Sequence, residues 1–426
     1  MSLALGLAAI LVLAALGMPL FAVIAAVALL GFHLAGYDLI VVTVEIYRLG
    51  DMPGLIAIPL FTLAGYLLGE SQAPKRLVRL SNALLGWLPG GLAIVAIVAC
   101  AFFTAFTGAT GVTIVALGAL LYPALRQAGY SERFSLGLVT SAGSLGLLFA
   151  PSLPLILYGF VAGQMGSQPP VTIPDLFLAG LLPGLLMVAM LSAYALWVGR
   201  SVPGSRHRFD AGELWSALKE TAWELPLPAI VLGGIYSGGL AASEAAAVTA
   251  LYVSVVTVLI KKEITLSKLP GVMAESMRLV GAILLILGSA LALSNWLVDQ
   301  EVPARLFETL HEHVDSPWTF LLLLNLFLLV VGMLLDIFSA IVILTPLLLP
   351  VAAGFGIHPV HLGVVMLANL QLGYFTPPVG MNLFIAAYRF GTPITRLVWA
   401  CLPFLLILGV AVAVITWWPA LSLGLL

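Results

Sequence analysis

Charge is what this sequence has least of. Only 8% of its 426 residues are Asp, Glu, Lys or Arg, 62% are apolar, and the mean hydropathy is +1.15. A soluble domain carries roughly 25% charged residues, so too little polar surface is left here to face water and the solvent must be lipid. The 17 basic and 19 acidic residues nearly cancel, leaving no basic stripe for nucleic acid. Cysteine is also scarce: Cys100 and Cys401 stand far apart in apolar runs, which excludes CxxC redox chemistry and a zinc cluster. No GxxxxGK[ST] phosphate loop, GxSxG elbow or HExxH motif occurs, and histidines such as His311, His313, His358 and His361 fall in loops or singly. ATP hydrolysis, serine hydrolysis and zinc-site chemistry have no visible machinery, and work done by this chain must draw on ion gradients, at ~2.3 kcal/mol per charge per 100 mV. The N-terminus lacks the Lys or Arg of a cleavable secretory signal and reads as a retained span.

What is present is a series of apolar runs long enough to cross ~30 Å of hydrocarbon. Ten crossings are expected near residues 3–17, 19–36, 54–70, 134–162, 176–199, 225–240, 244–260, 279–298, 362–388 and 399–419. Two further apolar stretches, 90–125 and 318–350, are interrupted mid-way by Gly, Thr, Ser or Asp and read as re-entrant helical hairpins. With this arrangement 15 of the 17 basic residues fall on one side, leaving only Arg48 and Arg305 on the other. Basic residues collect in cytoplasmic loops, so both termini are expected outside, the first hairpin opening to the cytoplasm and the second opening outward. Segments 74–88, 208–223 and 266–278 have the amphipathic spacing of arms lying in the interface.

The sequence also repeats itself. A shift of 227 residues brings Pro123 onto Pro350, Gly129 onto Gly356 and Leu145-Gly146 onto Leu372-Gly373, and a shift of 229 superimposes Pro74 to Leu77 on Pro303 to Leu306. Five crossings separate equivalent elements, and an odd number inverts the second copy, as in the inverted repeats of secondary transporters. In such folds ligands bind near the midplane where helices break and free backbone ends face a cavity. The breaks here are Thr107 to Thr113, Ser144 to Ser152, Asp336 to Ser339 and Gln371 to Gly380. Glycine frees the backbone, proline ends the helix, and hydroxyls and exposed carbonyls supply the neutral oxygens that hard cations prefer. Helix N-termini in the same place suit a carboxylate. Asp336 stands alone inside an apolar run, where insertion costs ~2.5 to 3.5 kcal/mol, and is expected to hold an ion or to cap a helix.

FTGATGVTIVALGALLYPAL followed by GSLGLLFAPSLPLILYG, then GMLLDIFSAIVILTPLLLP followed by NLQLGYFTPPVGMNLF, resembles the large membrane subunit of the tripartite ATP-independent periplasmic (TRAP) transporters, the DctM-like family. The resemblance covers nearly the whole chain. It implies an all-α polytopic membrane protein of the bacterial inner membrane, with inverted repeats, two hairpins, two broken helices and elevator-type motion. It also implies a sodium-driven importer of organic acids, C4-dicarboxylate-like, and not an enzyme. Substrate would come from a periplasmic binding protein, and a small four-helix membrane subunit, expected as a separate polypeptide, would complete the transporter. Transport-domain halves would occupy 86–165 and 316–390, scaffold helices and arms 1–85 and 166–315, and a C-terminal helix 391–426. One sodium site would draw on Gly108, Ala109, Thr110, Thr113, Ser144, Gly146 and Pro151, the other on Asp336, Ser339, Gly373, Thr376 and Val379. The substrate would contact Thr107, Gly108, Ser152, Ser339 and Pro377. Many relatives carry GSSVAT where this chain has GATGVT, so Ala109 replaces a serine hydroxyl. A single-component sodium/carboxylate carrier of the same architecture, and a membrane-embedded enzyme, are the alternatives.

Overall fold

The computed structural model describes residues 3–52, 55–88, 90–202, 209–314 and 316–426, and within them regular structure is helical throughout. Arg206 and Arg208, counted among the inward charges, lie outside the described residues.

The chain opens with α1 (Leu3–Ala15), α2 (Leu20–Leu34) and a short α3 (Ile40–Arg48), then α4 (Ala57–Glu70) and the amphipathic α5 (Ala73–Leu85). The first hairpin is α6 (Gly91–Thr107) returning through α7 (Thr110–Ala116) and α8 (Gly118–Gln127). A span broken into α9 (Glu132–Ala142), a 3-10 turn at Leu145–Leu148 and α10 (Leu153–Gln164) follows, bent by 41°. Next come α11 (Ile173–Gly199), the arm α12 (Ala211–Glu220), α13 (Pro226–Pro228) and α14 (Gly234–Tyr236) joined by a π-helical turn, and α15 (Ala242–Ser254), which also ends in a π turn. α16 (Leu269–Asp299) and α17 (Val302–His311) lead to the second hairpin, α18 (Pro317–Leu334) with α19 (Ile337–Gly354). The second broken span is α20 (Pro359–Gly373) with α21 (Met381–Phe390), and α22 (Ile394–Trp417) and α23 (Ala420–Leu423) close the chain.

The repeat is now visible as geometry. Adding 227 to the limits of α6 gives 318 and 334, and adding it to the span from Thr110 to Gln127 gives 337 and 354, so the hairpins match nearly residue for residue. The left-handed glycines after them, Gly129 and Gly356, obey the same shift. α11, 27 residues and therefore ~40 Å long, measures the thickness of the protein. Its C-terminal end at Gly199 touches Gly90 at the base of the first hairpin, while Asp175 at its N-terminal end acts electrostatically on His358 beyond the second. The hairpins thus open at opposite ends of the molecule, yet both tips line one cavity. Hairpins that crossed fully in opposite senses would place their tips on opposite surfaces, so both are re-entrant.

Two details differ from expectation. Residues 266–278 are not a free-standing arm, because α16 begins at Leu269 and runs on for 31 residues as one helix; the polar arm and the apolar span share the same 3.6-residue period and no proline separates them. And α11, inside the segment 166–315 expected to be scaffold, packs among α6, α10, α20 and α22, all elements of the hairpins, the broken spans or the C-terminal helix.

The core is the interior of the hairpins and broken spans, with Ala93 to Ile97 of α6 and Val360 to Gln371 of α20 buried. The outside is apolar instead of polar: Leu322, Leu326, Val330 and Leu334 form an exposed stripe along α18. Exposed tryptophans collect towards the two ends, Trp197, Trp215 and Trp399 with the basic loops and Trp318, Trp417 and Trp418 opposite, where amphipathic rings meet lipid headgroups.

Candidate functional site

A cavity of about 620 Å³ lies where four kinds of element meet. The tip of the first hairpin supplies Gly108 to Val112 with Val115 and Ala116, and that of the second supplies Asp336 and Phe338. The second break and α21 add Tyr374, Met381 and Ile385, and the far wall is built by Tyr66, Gly69 and Glu70 of α4 with Glu275, Leu279, Ala282, Ile283 and Ile286 of α16. Its carboxylates are Glu70, Glu275 and Asp336, and no Lys, Arg or His lines it among the described residues.

At the first tip α6 ends because Gly108 takes φ of +61°, a left-handed turn disfavoured for residues with a Cβ, and Ala109 is extended before α7 begins. The Ala109 amide donates weakly to Thr107 Oγ1 at 3.5 Å. Thr113 Oγ1 lies 2.7 Å from Thr104 Oγ1, and Thr104 also donates to the Gly143 carbonyl at 2.9 Å, which ties the hairpin to its own broken span. Gly146 explains the close fit: a Cβ there would sit 2.3 Å from the Ala101 carbonyl oxygen and the Ala105 nitrogen. Ser144 donates to Ser141 O at 3.2 Å, and Ser152, fully buried after the cis Ala150-Pro151 bond, donates to Leu147 O and caps α10.

At the second tip Asp336 caps α19, accepting from the amides of Phe338 and Ser339 at 3.0 Å each and from the Ser339 hydroxyl. The cap is what a break in the middle of a membrane requires, since freed amides have no water to turn to. The carboxylate is half-buried and still borders the cavity. The Ile337 amide donates to the Tyr374 hydroxyl at 2.7 Å. Gly373 packs against Gly332 of α18, with room for no side chain on either. Thr376 donates to Leu372 O at 2.9 Å; Pro377, half-buried, leads by a cis bond into Pro378, and Val379 is exposed.

Of the residues singled out from the sequence, Gly108, Ala109, Thr110 and Asp336 come together at the cavity. Thr107, Thr113, Ser144, Gly146, Pro151, Ser152, Ser339, Gly373, Thr376, Pro377 and Val379 form the breaks behind it without lining it. Tyr66, Glu70, Glu275 and Asn382 were not anticipated, and Tyr374 falls inside the expected break but was given no role. Tyr66 and Glu70 belong to a helix that shows only an apolar run in sequence, Glu275 falls in the segment expected to be an interfacial arm, and Asn382 stands two residues beyond the break expected to end at Gly380. Thr110 Oγ1 donates to Asn382 Oδ1 at 2.9 Å, joining the first tip to the second broken span.

Comparisons with known proteins agree on one family. The family described as "Tripartite ATP-independent periplasmic transporter, DctM component" matches residues 7–421. The C4-dicarboxylate TRAP transporter large permease protein DctM of Pseudomonas aeruginosa is 33% identical over 384 residues, covering 90% of this chain and 88% of that one. The isethionate TRAP transporter permease protein DctMQ of Oleidesulfovibrio alaskensis is 32% identical over 87% of this chain and 57% of its own greater length. Among solved structures the YdaH transporter of Alcanivorax borkumensis shares the fold, with a TM-score of 0.59 over 87% of each chain at 16% identity.

Proposed function

The chain belongs to the DctM family of tripartite ATP-independent periplasmic transporters, a large permease of the bacterial inner membrane and not an enzyme, and from that premise we propose that it imports a small organic acid, C4-dicarboxylate-like, by sodium symport. The cavity carries the reading. Its side chains bring three carboxylates and no cation, and an organic anion entering a low-dielectric site without compensating charge bears a desolvation cost of several kcal/mol. Coupling ions held by tip hydroxyls and backbone oxygens, with amides at the helix breaks, supply that charge. The sodium sites lie at the edge of the cavity and in the breaks behind it, one at Gly108 to Thr113 with Ser144 to Pro151, the other at Asp336 and Ser339 with Gly373, Thr376 and Val379, and the substrate rests between the tips.

The packing supports an elevator motion. Hairpins, broken spans, α11 and α22 interlock as one body, whereas α2, α4, α15 and α16 pack mainly on one another. The cavity forms between the two groups, so sliding one past the other carries the tips, and whatever they hold, across the membrane. Substrate delivery by a periplasmic binding protein and assembly with a small membrane subunit complete the proposal. Support for the substrate class comes from the relatives, one named for C4-dicarboxylates and one for isethionate, both small organic anions.

The test is uptake of labelled succinate into proteoliposomes holding this chain, its small subunit and its binding protein, with and without an inward sodium gradient. Uptake that needs both sodium and the binding protein, and whose sodium dependence weakens in Thr376→Ala and Asp336→Asn, is the expected result. Uptake without the binding protein would replace the tripartite scheme with a single-component carrier, and sodium-independent uptake would sink the coupling.

A further inference from the structure

We infer that Asn382 is a positioning residue for the first hairpin tip: it holds Thr110 so that the threonine oxygen turns lone pairs, and no proton, towards the cavity. The inference rests on the reading of the cavity as one that takes a cation together with its organic anion. Thr110 is 5% exposed and Asn382 fully buried, although they stand 272 residues apart in opposite repeats.

The polarity of the bond is fixed. Asn382 Nδ2 points to the Thr140 carbonyl at 3.5 Å, and turning the amide over would set its oxygen against that carbonyl oxygen. Oδ1 therefore faces Thr110, and the one hydroxyl proton of the threonine is committed to it. What remains for the cavity is an acceptor, suited to a cation and unable to donate to a carboxylate. The backbone of Asn382 is anchored too, its amide donating to Tyr374 O at 2.8 Å, and the Tyr374 hydroxyl in turn accepts from Ile337 at the second tip. The two tips are thus joined through Tyr374 and Asn382.

The inverted repeat shows that packing alone does not require this pair. The shift of 227 residues carries Thr110 to Ile337 and Asn382 back to Leu155, and the elements bearing them, α19 and α10, pack together as α7 and α21 do. Both Ile337 and Leu155 are buried. The fold is content with two aliphatic side chains at this crossing in one half, so the polar pair in the other answers a need that is not structural.

The comparison also supplies the fold-compatible variants, Asn382→Leu and Thr110→Val, set beside Thr110→Ser, which keeps the donor. Both native cysteines are buried, so Ala109→Cys at the tip serves as a reporter whose reaction with a soluble maleimide is timed on the purified chain in nanodiscs. Expected in the absence of sodium is a rate increase of about tenfold, the order of one lost hydrogen bond, in Asn382→Leu and in Thr110→Val. The double variant should be no faster than either single one, and Thr110→Ser should match the parent. Unchanged rates in both single variants, or effects that multiply in the double, would overturn the assignment. A sodium titration of the same reaction separates the two readings. Protection of the parent by sodium, with the half-protecting concentration raised in Asn382→Leu and unchanged in Thr110→Ser, supports both. If sodium fails to protect even the parent, the cation reading of the cavity falls and with it the role given to the Thr110 oxygen. If sodium protects the parent and Asn382→Leu equally, only the role of Asn382 falls.

Discussion

At the scale of single residues the breaks are governed by what glycine leaves out. Gly146 and Gly373 let a broken span lie against the backbone of its hairpin, with an added Cβ 2.3 Å from backbone atoms at the first and 2.5 Å at the second. Neither neighbour is the flexible end of a side chain, so nothing can swing aside. Gly146→Ala and Gly373→Ala are each expected to cost about 1 to 3 kcal/mol, seen as a lowered unfolding temperature of the detergent-purified chain. Gly163→Ala, where a Cβ meets nothing within 4 Å, should be neutral or slightly stabilising; equal losses at all three positions would show that close packing is not the cause. These glycines were legible because they fall at the same place in both repeats. Asn382 was not legible: nothing local marks one asparagine after a proline pair, and its partner Thr110 is found only once the chain is folded. Asp336 was legible as an anomaly, and the structure shows its carboxylate accepting three hydrogen bonds at the start of α19 while still bordering the cavity.

At the scale of elements the cytoplasmic arm α5 makes the clearest case. Its position was readable from amphipathic spacing, but what fastens it was not, because the partners come from the arm α12 and from loops far along the chain. The Arg76 guanidinium, buried, pairs with Glu224 and Glu263, while Arg79 on the exposed face pairs with Glu213 and Glu220. Removing the buried cation leaves two acids in a poor solvent, so Arg76→Ala should loosen α5 by about 3 kcal/mol. Arg79→Ala, whose partners return to water, should leave α5 in place. Hydrogen exchange of residues 73–85 measures both. The pH dependence has a definite sign. Burial by itself would raise the Glu263 carboxyl, but hydrogen bonds from the Arg76 guanidinium and the Gln72 amide outweigh it and hold it below the usual carboxylate range. Its contribution is therefore complete above the unfolded value of about 4.3 and is lost as pH falls through the lower, docked value. Protection of α5 should survive from neutral pH to about pH 5 and decline below about pH 4, and Glu263→Gln should flatten that decline. Protection that fell between neutral pH and about pH 6 would assign the docking to other groups.

At the scale of the molecule the architecture was legible because it is written twice. The interrupted apolar runs marked the hairpins and the broken span between α9 and α10, and the shift of 227 residues paired the elements, whereas ten crossings were expected and only six helices, or seven with the bent pair, are long and apolar enough to cross among the described residues. What the sequence could not show is which helices travel together, since α11 and α16 look alike as apolar runs and differ only in their neighbours. Nor could it show on which side the cavity opens, and here the walls decide. Glu70 is the last residue of α4 and Glu275 lies in the first turns of α16, close in the chain to Lys75 of α5, Lys268 before α16 and Arg278 within it, on the side rich in basic residues. From there the cavity extends inward to the hairpin tips, so the conformation described opens towards the end rich in basic residues, the cytoplasmic end expected from their distribution. Val115 lines it with 46% of its surface exposed, and the two native cysteines are buried and silent. Val115→Cys should therefore react with a membrane-impermeant thiol reagent in inside-out vesicles and be shielded in right-side-out ones. Substrate with sodium should slow the reaction by filling the cavity or drawing the tips outward. Labelling that is equal from both sides would mean that the wall formed by α4 and α16 does not seal, and a body sliding behind an unsealed wall could not couple one gradient to another.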